Sequence, residues 1–263
     1  MDNISPKDVR KMIREGKMDR KGIGTTALGL GYAICNLVVL PKDITLDFMI
    51  FCQRNPKPCY IQEVTEPGDP EPRISAPDAD LRTDLTKYRI YINGKLKEEV
   101  KNITSYWRDD FIAFLIAGSY SWEKVLIEAK IPLRHHDEGK EVPMYISNIQ
   151  CVPSNSFHGP MTVSMRPIPE DKIIRTIQIC SRFPTAHGVP VHIGSPEKIG
   201  IKDIDNPDFG YPVEIKSGEI PVFWACGVTA QSVAIMSKPK LMITHAPGHP
   251  FVTDILAEEI ALI

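Results

Sequence analysis

Residues 221–254 read PVFWACGVTAQSVAIMSKPKLMITHAPGHPFVTD, and the fold turns on how this stretch is parsed. Val222 to Cys226 is a short apolar run of strand length. Gly227 interrupts it, Thr229 is a good helix N-cap, and Ala230, Val233 and Ala234 fall on one helical face before Pro239 ends the helix. Leu241 to Thr244 is a second apolar strand that runs into His245-Ala246-Pro247-Gly248-His249. Strand, short helix, strand predicts a parallel crossover of right-handed sense. Both carboxyl ends of such a unit open on one sheet edge, where ligands bind. The Cys226–Thr229 turn and the His245–His249 loop are therefore expected side by side.

Upstream, Ser5-Pro6-Lys7-Asp8 carries the cap, the N1 proline and the first-turn acid of a helix start, followed by the stripe Val9, Met12 and Ile13. The glycine-studded stretch Gly22 to Gly31 resembles a phosphate loop, but no Gly-Lys-Ser/Thr follows and no strand precedes it. A flexible connecting loop is expected there, and no nucleotide cofactor. Tyr32 to Leu40, apolar but for Asn36, enters the core as a strand; Asp43 caps a helix that Pro56 terminates; Cys59 to Thr65 alternates like a strand. Glu66 to Asp84 is long, proline-rich and acidic, and loops of that length are functional or disordered. Asn93-Gly94 marks a hairpin. Thr104 caps a helix bearing Trp107, Phe111, Phe114 and Leu115, and Ser121 opens another that ends near Lys130.

From Ile131 short strands (144–149, 161–165, 191–193) surround one helix at 172–179, the texture of an antiparallel α+β unit. The expected fold class is α/β. A larger mixed-sheet domain, residues 1–133 and 206–263, carries the C-terminal parallel crossover, and a smaller α+β subdomain, residues 134–205, is inserted into it. The cleft between them is the natural ligand site.

The 263 residues, 43% hydrophobic and 24% charged, suffice for one large core or two modest ones. Thirty-one basic against thirty-three acidic residues, with no basic stripe, argue against a nucleic-acid partner. No apolar run approaches a membrane span, and the amino end lacks the features of a signal or transit peptide, so a cytoplasmic location is expected. Six cysteines without a Cys-x-x-Cys pair predict reduced, packed thiols rather than a zinc ribbon.

His245 and His249 are four apart, but Pro247 and Gly248 exclude the helical pair of a metalloprotease, and a metal held by both lacks a third ligand. No metal ligands are assigned, and a divalent cofactor stays open. His245, at a strand's carboxyl end, is placed for proton transfer, against the reading of a ring that only ties down its loop. Cys226 precedes a helix, where amides lower a thiol's pKa, against the reading of a packed strand-end thiol. The Gly227–Thr229 turn offers amides to a carboxylate. Arg54, Arg82, Arg108, Arg166 and Arg182 suit bidentate carboxylate binding, or equally brace loops through Asp84, Asp109 or Asp110. Asp84 and Glu63 are unranked candidate bases.

Several strings together resemble the D-glutamate cyclase-like family, whose bacterial members are described as hydro-lyases. They include Phe51-Cys52-Gln53-Arg54-Asn55-Pro56-Lys57-Pro58-Cys59, Glu63-Val64-Thr65-Glu66-Pro67-Gly68-Asp69-Pro70 and Asp80-Leu81-Arg82-Thr83-Asp84-Leu85. Arg108-Asp109-Asp110-Phe111, Ser164-Met165-Arg166-Pro167, Ser181-Arg182-Phe183-Pro184, Phe223-Trp224-Ala225-Cys226-Gly227-Val228-Thr229 and Thr244-His245-Ala246-Pro247-Gly248-His249 continue the likeness along nearly the whole chain. Ile34-Cys35-Asn36 stands where the family more often has Gln-Ala-Asn, so a polar role for that glutamine does not carry to Ile34.

The resemblance implies an α/β fold of two subdomains and a lyase that removes water, closing D-glutamate to 5-oxo-D-proline. It brings no established catalytic residue. Such a reaction needs a base, an acid, an oxyanion site and a carboxylate anchor. On that demand His245 is expected to transfer protons with Asp84 as second group. Gly227 and Thr229 bind an oxyanion or carboxylate, and Arg82, Arg166 and Arg182 anchor the acid. The expected partner is a small carboxylate or amino-acid substrate. The alternatives are a hydro-lyase acting on another small carboxylic acid and a carboxylate-binding module without turnover. The inserted unit is also open to a role as a homo-oligomer interface.

Overall fold

The computed structural model describes residues 4–18 and 28–262. Most of the glycine-studded stretch, residues 22–27, lies outside the described residues. Helix α1 (Pro6–Arg14) starts as the sequence predicts, with Ser5 Oγ accepting the Asp8 amide at 3.2 Å. Strand β1 (Tyr32–Pro41) leads into α2 (Lys42–Arg54) and β2 (Ile61–Val64). The hairpin β3 (Tyr88–Ile92) and β4 (Lys95–Val100) turns on Asn93 and Gly94, both at positive φ as a tight turn requires. Strand β5 (Phe111–Ala117), α3 (Glu123–Glu128), the single-turn α4 (Arg134–Asp137), β6 (Met144–Gln150), β7 (Pro160–Pro169), α5 (Ile173–Cys180) and β8 (His192–Ile193) follow. The chain closes with β9 (Glu219–Ala225), α6 (Thr229–Ser237), β10 (Met242–His245) and β11 (Phe251–Leu256).

The α/β class holds, with two sheets and helices packed on them. One sheet has seven strands, ordered β2-β5-β1-β10-β3-β4, with β11 beside β10 on the same edge of β1. The other has four, ordered β6-β7-β9-β8. Among the described residues all the strand pairings are antiparallel, which corrects the expected mixed sheet with a parallel crossover. The strand–helix–strand pattern at 221–245 is real, but its strands belong to different sheets. Strand β9 lies between β7 and β8, whereas β10 slots between β1 and β3. Strand β9 thus joins the sheet built by β6, β7 and β8, strands that come from the 134–205 segment.

Strand β1 explains why its sequence is apolar almost throughout. Val38 and Leu40 face a core shared with the second sheet's Met161, Val163 and Phe223, while Cys35, Leu37 and Val39 face a second core under Leu81, Leu85 and Ile243. A strand covered on both faces has no solvent side to alternate with. Helix α6 is likewise buried from Thr229 to Ala234, because it contributes Ala230, Val233 and Ala234 to the shared core.

The segment Phe111 to Leu115, expected on a helix, is the centre of β5. The i, i+3, i+4 apolar spacing of Phe111, Phe114 and Leu115 fits either element, and pairing along all seven residues with β1 decides for the strand. The proline-rich loop 66–84 is packed down. Ala76, Ala79 and Leu81 enter the second core, and Glu63 accepts the amides of Ile74 and Ser75 at 2.9 and 2.7 Å.

The Arg54–Cys59 string ties the two sheets together. Arg54 donates to the Pro153 carbonyl at 2.5 Å, Asn55 exchanges two hydrogen bonds with the Val152 backbone, and Lys57 Nζ donates to the carbonyls of His187 and Val189 at 3.0 and 2.7 Å. His187, in the left-handed region at φ 72°, returns a ring hydrogen bond to the Lys57 carbonyl at 2.7 Å.

Among the described residues no helix is long and apolar enough to cross a membrane.

Candidate active site

A cavity of about 340 Å³ opens at the carboxyl end of β10. The main chain continues the β10–β3 ladder past the strand, with the Ala246 amide bonded to the Lys87 carbonyl at 2.9 Å, and then turns so that the His249 amide meets the Ala246 carbonyl at 2.9 Å. Pro247 and Gly248 shape that turn, and Gly248 sits at φ 78°. The walls are Lys87 and Arg89 at the start of β3, Glu99 on β4, Glu141 ahead of β6, and the loop 208–211 with Phe209 and Tyr211. Arg89 and Glu99 lie directly opposite in the hairpin register and pair at 2.8 Å. Arg89 also donates to Gln231 Oε1 on α6 at 2.9 Å, so two sides fix its fork.

Glu141 and His249 face each other with 3.6 Å between Oε1 and Nε2. Burial raises the Glu141 carboxyl to about 7, although Lys87 and Arg89 pull it down. Burial lowers the His249 ring to about 4, helped by the repulsion of Lys87 and Arg89. At neutral pH the imidazole is therefore uncharged, and its approach to Glu141 is not an ion pair. Its other nitrogen, Nδ1, is held by the Thr86 hydroxyl at 2.6 Å. Gly248 suits this position, because φ 78° strains any L side chain and a Cβ would displace the Glu141 carboxyl group. A carboxyl poised near neutrality beside a neutral imidazole and two cations can exchange protons with a bound acid.

The residues singled out from sequence fall in several places. His245 ends β10 immediately before the cavity loop, but it is buried and faces the Leu37 backbone. Burial lowers its ring to about 3, and Nδ1 has no hydrogen-bond partner. Thr229 gives its hydroxyl to the Cys226 carbonyl at 2.6 Å, and its amide bonds the same carbonyl at 2.9 Å. Gly227 is packed against the Asn36 side-chain amide, where a Cβ would overlap it. Cys226 contacts the Met144 sulfur at 3.7 Å, and burial pushes its thiol up to about 11, so it is a packed, protonated thiol at neutral pH.

Asp84 is buried against Arg14 at 2.8 Å, Arg82 pairs with Asp80 at 2.8 Å, and Arg182 donates to the Leu262 carbonyl at 3.2 Å. Arg166 is fully buried beneath Trp122 and Trp224, with Nε and Nη2 on Glu123 at 3.0 and 2.5 Å. None of these four lines the cavity.

The site residues that sequence reasoning passed over are Glu141, Lys87, Arg89 and Glu99. Glu141 closes the charged run Arg134–Glu141, which reads as a solvated loop. Its one local signal is its place directly before the apolar Val142-Pro143-Met144.

A second cavity, about 390 Å³, lies between the start of α2 and residues 237–241. Its acids and bases are surface groups, Arg108 pairing with Asp110 at 2.5 Å, and no histidine lines it. Among the described residues no three His, Cys, Asp or Glu side chains gather as a metal site.

A model of the D-glutamate cyclase family matches residues 112–254, which span β5 to β11 and include Glu141, His245 and His249. The chain is 56% identical over 260 residues to "Putative hydro-lyase" of Thermoanaerobacter sp. strain X514, covering 99% of this chain and 97% of that one. It is 56% identical over 260 residues to "Putative hydro-lyase YcsI" of Bacillus subtilis strain 168, covering 99% and 100%. It is 51% identical over 261 residues to "Putative hydro-lyase" of Stutzerimonas stutzeri strain A1501, covering 99% and 97%. The chain therefore belongs to the D-glutamate cyclase family and, at the level of that family, is a lyase.

Proposed function

We propose that the protein is a hydro-lyase that closes D-glutamate to 5-oxo-D-proline in the Glu141–His249 cavity. The proton bookkeeping of that reaction supports the assignment. The substrate's ammonium carries three hydrogens and the lactam nitrogen keeps one. The two that leave nitrogen must end on the departing carboxyl oxygen, which then leaves as water. A new N–C bond forms, a C–O bond breaks, and no net proton is exchanged with solvent. One group that takes a proton and returns it serves both transfers, and its ideal pKa lies near the working pH. Glu141 is that group: it lines the cavity with Lys87 and Arg89, faces His249 Nε2 at 3.6 Å and has its carboxyl raised by burial to about 7, and this arrangement carries the reading.

Lys87 and Arg89 are the cations on the cavity wall and anchor the two carboxylates, with Arg89 held in place by Glu99 and Gln231. Glu99 and Asp208 give the same wall the negative charge that an ammonium needs, which favours an amino acid over a plain carboxylic acid. His249, neutral and fixed by Thr86, presents Nε2 toward Glu141 as a hydrogen-bonding partner.

The test is incubation of the purified protein with D- and L-glutamate, following 5-oxoproline by chiral chromatography. Product from the D isomer, reduced about 10²- to 10⁴-fold in Glu141→Gln, is the expected outcome. Native turnover in Glu141→Gln would remove Glu141 from the chemistry. A folded protein inactive on both isomers would move the reading to another small acid or to a binding role.

A further inference from the structure

The Glu123–Arg166–His135 cluster sits outside the cavity and takes no part in the proton transfers above. It is nonetheless the most densely bonded set of buried charges among the described residues. Glu123 Oε1 accepts from Arg166 Nε at 3.0 Å, from Arg166 Nη2 at 2.5 Å and from His135 Nε2 at 3.0 Å. Arg166 also donates to Ser164 and Ser119 at 3.1 and 3.2 Å. Each member is almost completely buried. His135 lies in α4, a single turn too short to hold its shape through its own hydrogen bonds. From α4 the chain reverses through Gly139 at φ 63°, where the Lys140 amide returns to the His135 carbonyl at 2.7 Å, and the next residue is Glu141. On its far side Glu141 is tied by its carbonyl to the Tyr211 amide at 3.3 Å.

We propose that the buried Arg166–Glu123–His135 triad is the positioning element for Glu141. It pins the one-turn helix whose C-terminal reversal delivers that carboxyl group into the cavity. The triad touches neither substrate nor reacting atoms. Its effect passes through the main chain of residues 135–141. Tyr120 packs edge-on to the His135 ring at 6.4 Å, and its buried hydroxyl, which has no hydrogen-bond partner, is within electrostatic reach of both Glu123 and Glu141. The proposal rests on Glu141 as the proton-exchanging group.

The groups that face Glu141 from the packed elements are Lys87 and Arg89 on the β3 side, Glu99 on β4, His249 on the loop after β10, Asp208 on the cavity wall, and Tyr120 ahead of α3. All remain when the triad is cut at His135. A change in the Glu141 titration then reports its placement and not the loss of a neighbouring charge.

The experiment compares native enzyme with His135→Phe, which keeps a ring but no hydrogen bond, and with His135→Gln, which restores a donor toward Glu123. The Glu141 carboxyl is followed by ¹³C NMR in protein labelled at glutamate, its resonance identified by its disappearance in Glu141→Gln. The expected result in folded His135→Phe is a titration midpoint about one pH unit or more lower, as a loosened carboxyl gains water, with the pH profile of kcat/KM moving the same way. kcat should fall about tenfold or more with KM changed less, and His135→Gln should recover most of both. Should His135→Phe not fold, His135→Gln against Glu123→Asp gives the same comparison, since the shorter acid weakens the reach to Arg166 and His135. An unmoved Glu141 midpoint in a folded variant lacking the His135 hydrogen bond overturns the proposal. The titration uses no substrate, so it stands or falls separately from the D-glutamate assignment: a folded native protein inactive on both isomers would sink that assignment, whatever the midpoint does.

Discussion

Glu123 and Glu141 are both largely buried glutamates close to buried aromatic rings, and they end at opposite acidities. Glu123 is held down to about 2 and Glu141 is raised to about 7. Burial pushes both upward. For Glu123 it is outweighed by His135 and Arg166, whose nitrogens touch the carboxylate. For Glu141 the cations Lys87 and Arg89 act across an open cavity, and burial wins. The difference teaches that direct donors, and not burial depth, separate a structural carboxylate from a working one.

The strongest way to break this comparison is Glu123→Gln, which leaves Arg166 buried opposite a neutral amide. A loss of about 3–5 kcal/mol is expected. Chemical denaturation would measure it, and a change below about 1 kcal/mol would show that the triad is not the structural ion cluster described. Gly248→Ala comes next. The added Cβ meets the Glu141 carboxyl, and φ 78° strains any L side chain. An expected cost of about 1–3 kcal/mol should accompany a fall in turnover, because the carboxyl must shift. Native activity in this variant would mean that Glu141 has room the structure does not give it.

The finest test is the pH dependence of stability. Glu141, folded pKa about 7 against an ordinary 4.5, contributes stability that is complete below 4.5 and is lost as pH rises through 7. His187, His245 and His249, lowered by burial to about 4, 3 and 4 from 6.5, contribute stability present above 6.5 and lost as pH falls through those values. Three imidazoles oppose one carboxyl, so stability should decline on acidification below 6.5. Glu141→Gln removes the opposing group. The decline between about pH 4.5 and 6.5 should then steepen by one proton, about 1.4 kcal/mol per pH unit. Parallel denaturation curves at stepped pH would show it, and an unchanged slope would place the Glu141 pKa near its ordinary value.

Much of the local structure was legible in the sequence. Ser5-Pro6, Asn93-Gly94 and the apolar run from Tyr32 each form what their chemistry predicts. What failed was pairing. Residues 221–245 contain the expected strand, helix and strand, but nothing local says that β9 and β10 find partners in different sheets. The stretch Phe111–Leu115 failed for a related reason, since a run buried on both faces loses the alternation that marks a strand.

At the site, the His245–His249 loop was visible because strand, proline and glycine announce a loop at a sheet edge. Glu141 was not, because its neighbours Arg134–Lys140 look like solvent-facing charge and its environment is assembled from β3, β4 and the 208–211 loop. The arginines drew attention for their charge, yet Arg82, Arg166 and Arg182 all have partners within the fold.

Apart from the His187 ring on the Lys57 carbonyl, the side chains of the Arg54–Lys57 joint grip main-chain groups: the carbonyls of Pro153, His187 and Val189 and both backbone atoms of Val152. Every amino acid offers a carbonyl, so the joint does not read which side chains stand at 152, 153 and 189; only His187 is read by its ring. The loops it holds are therefore free to diverge everywhere but at His187, or to be exchanged by grafting around it, while the seam between the sheets stays closed. A latch of this kind decouples the surface a protein can explore by mutation from the geometry it must keep.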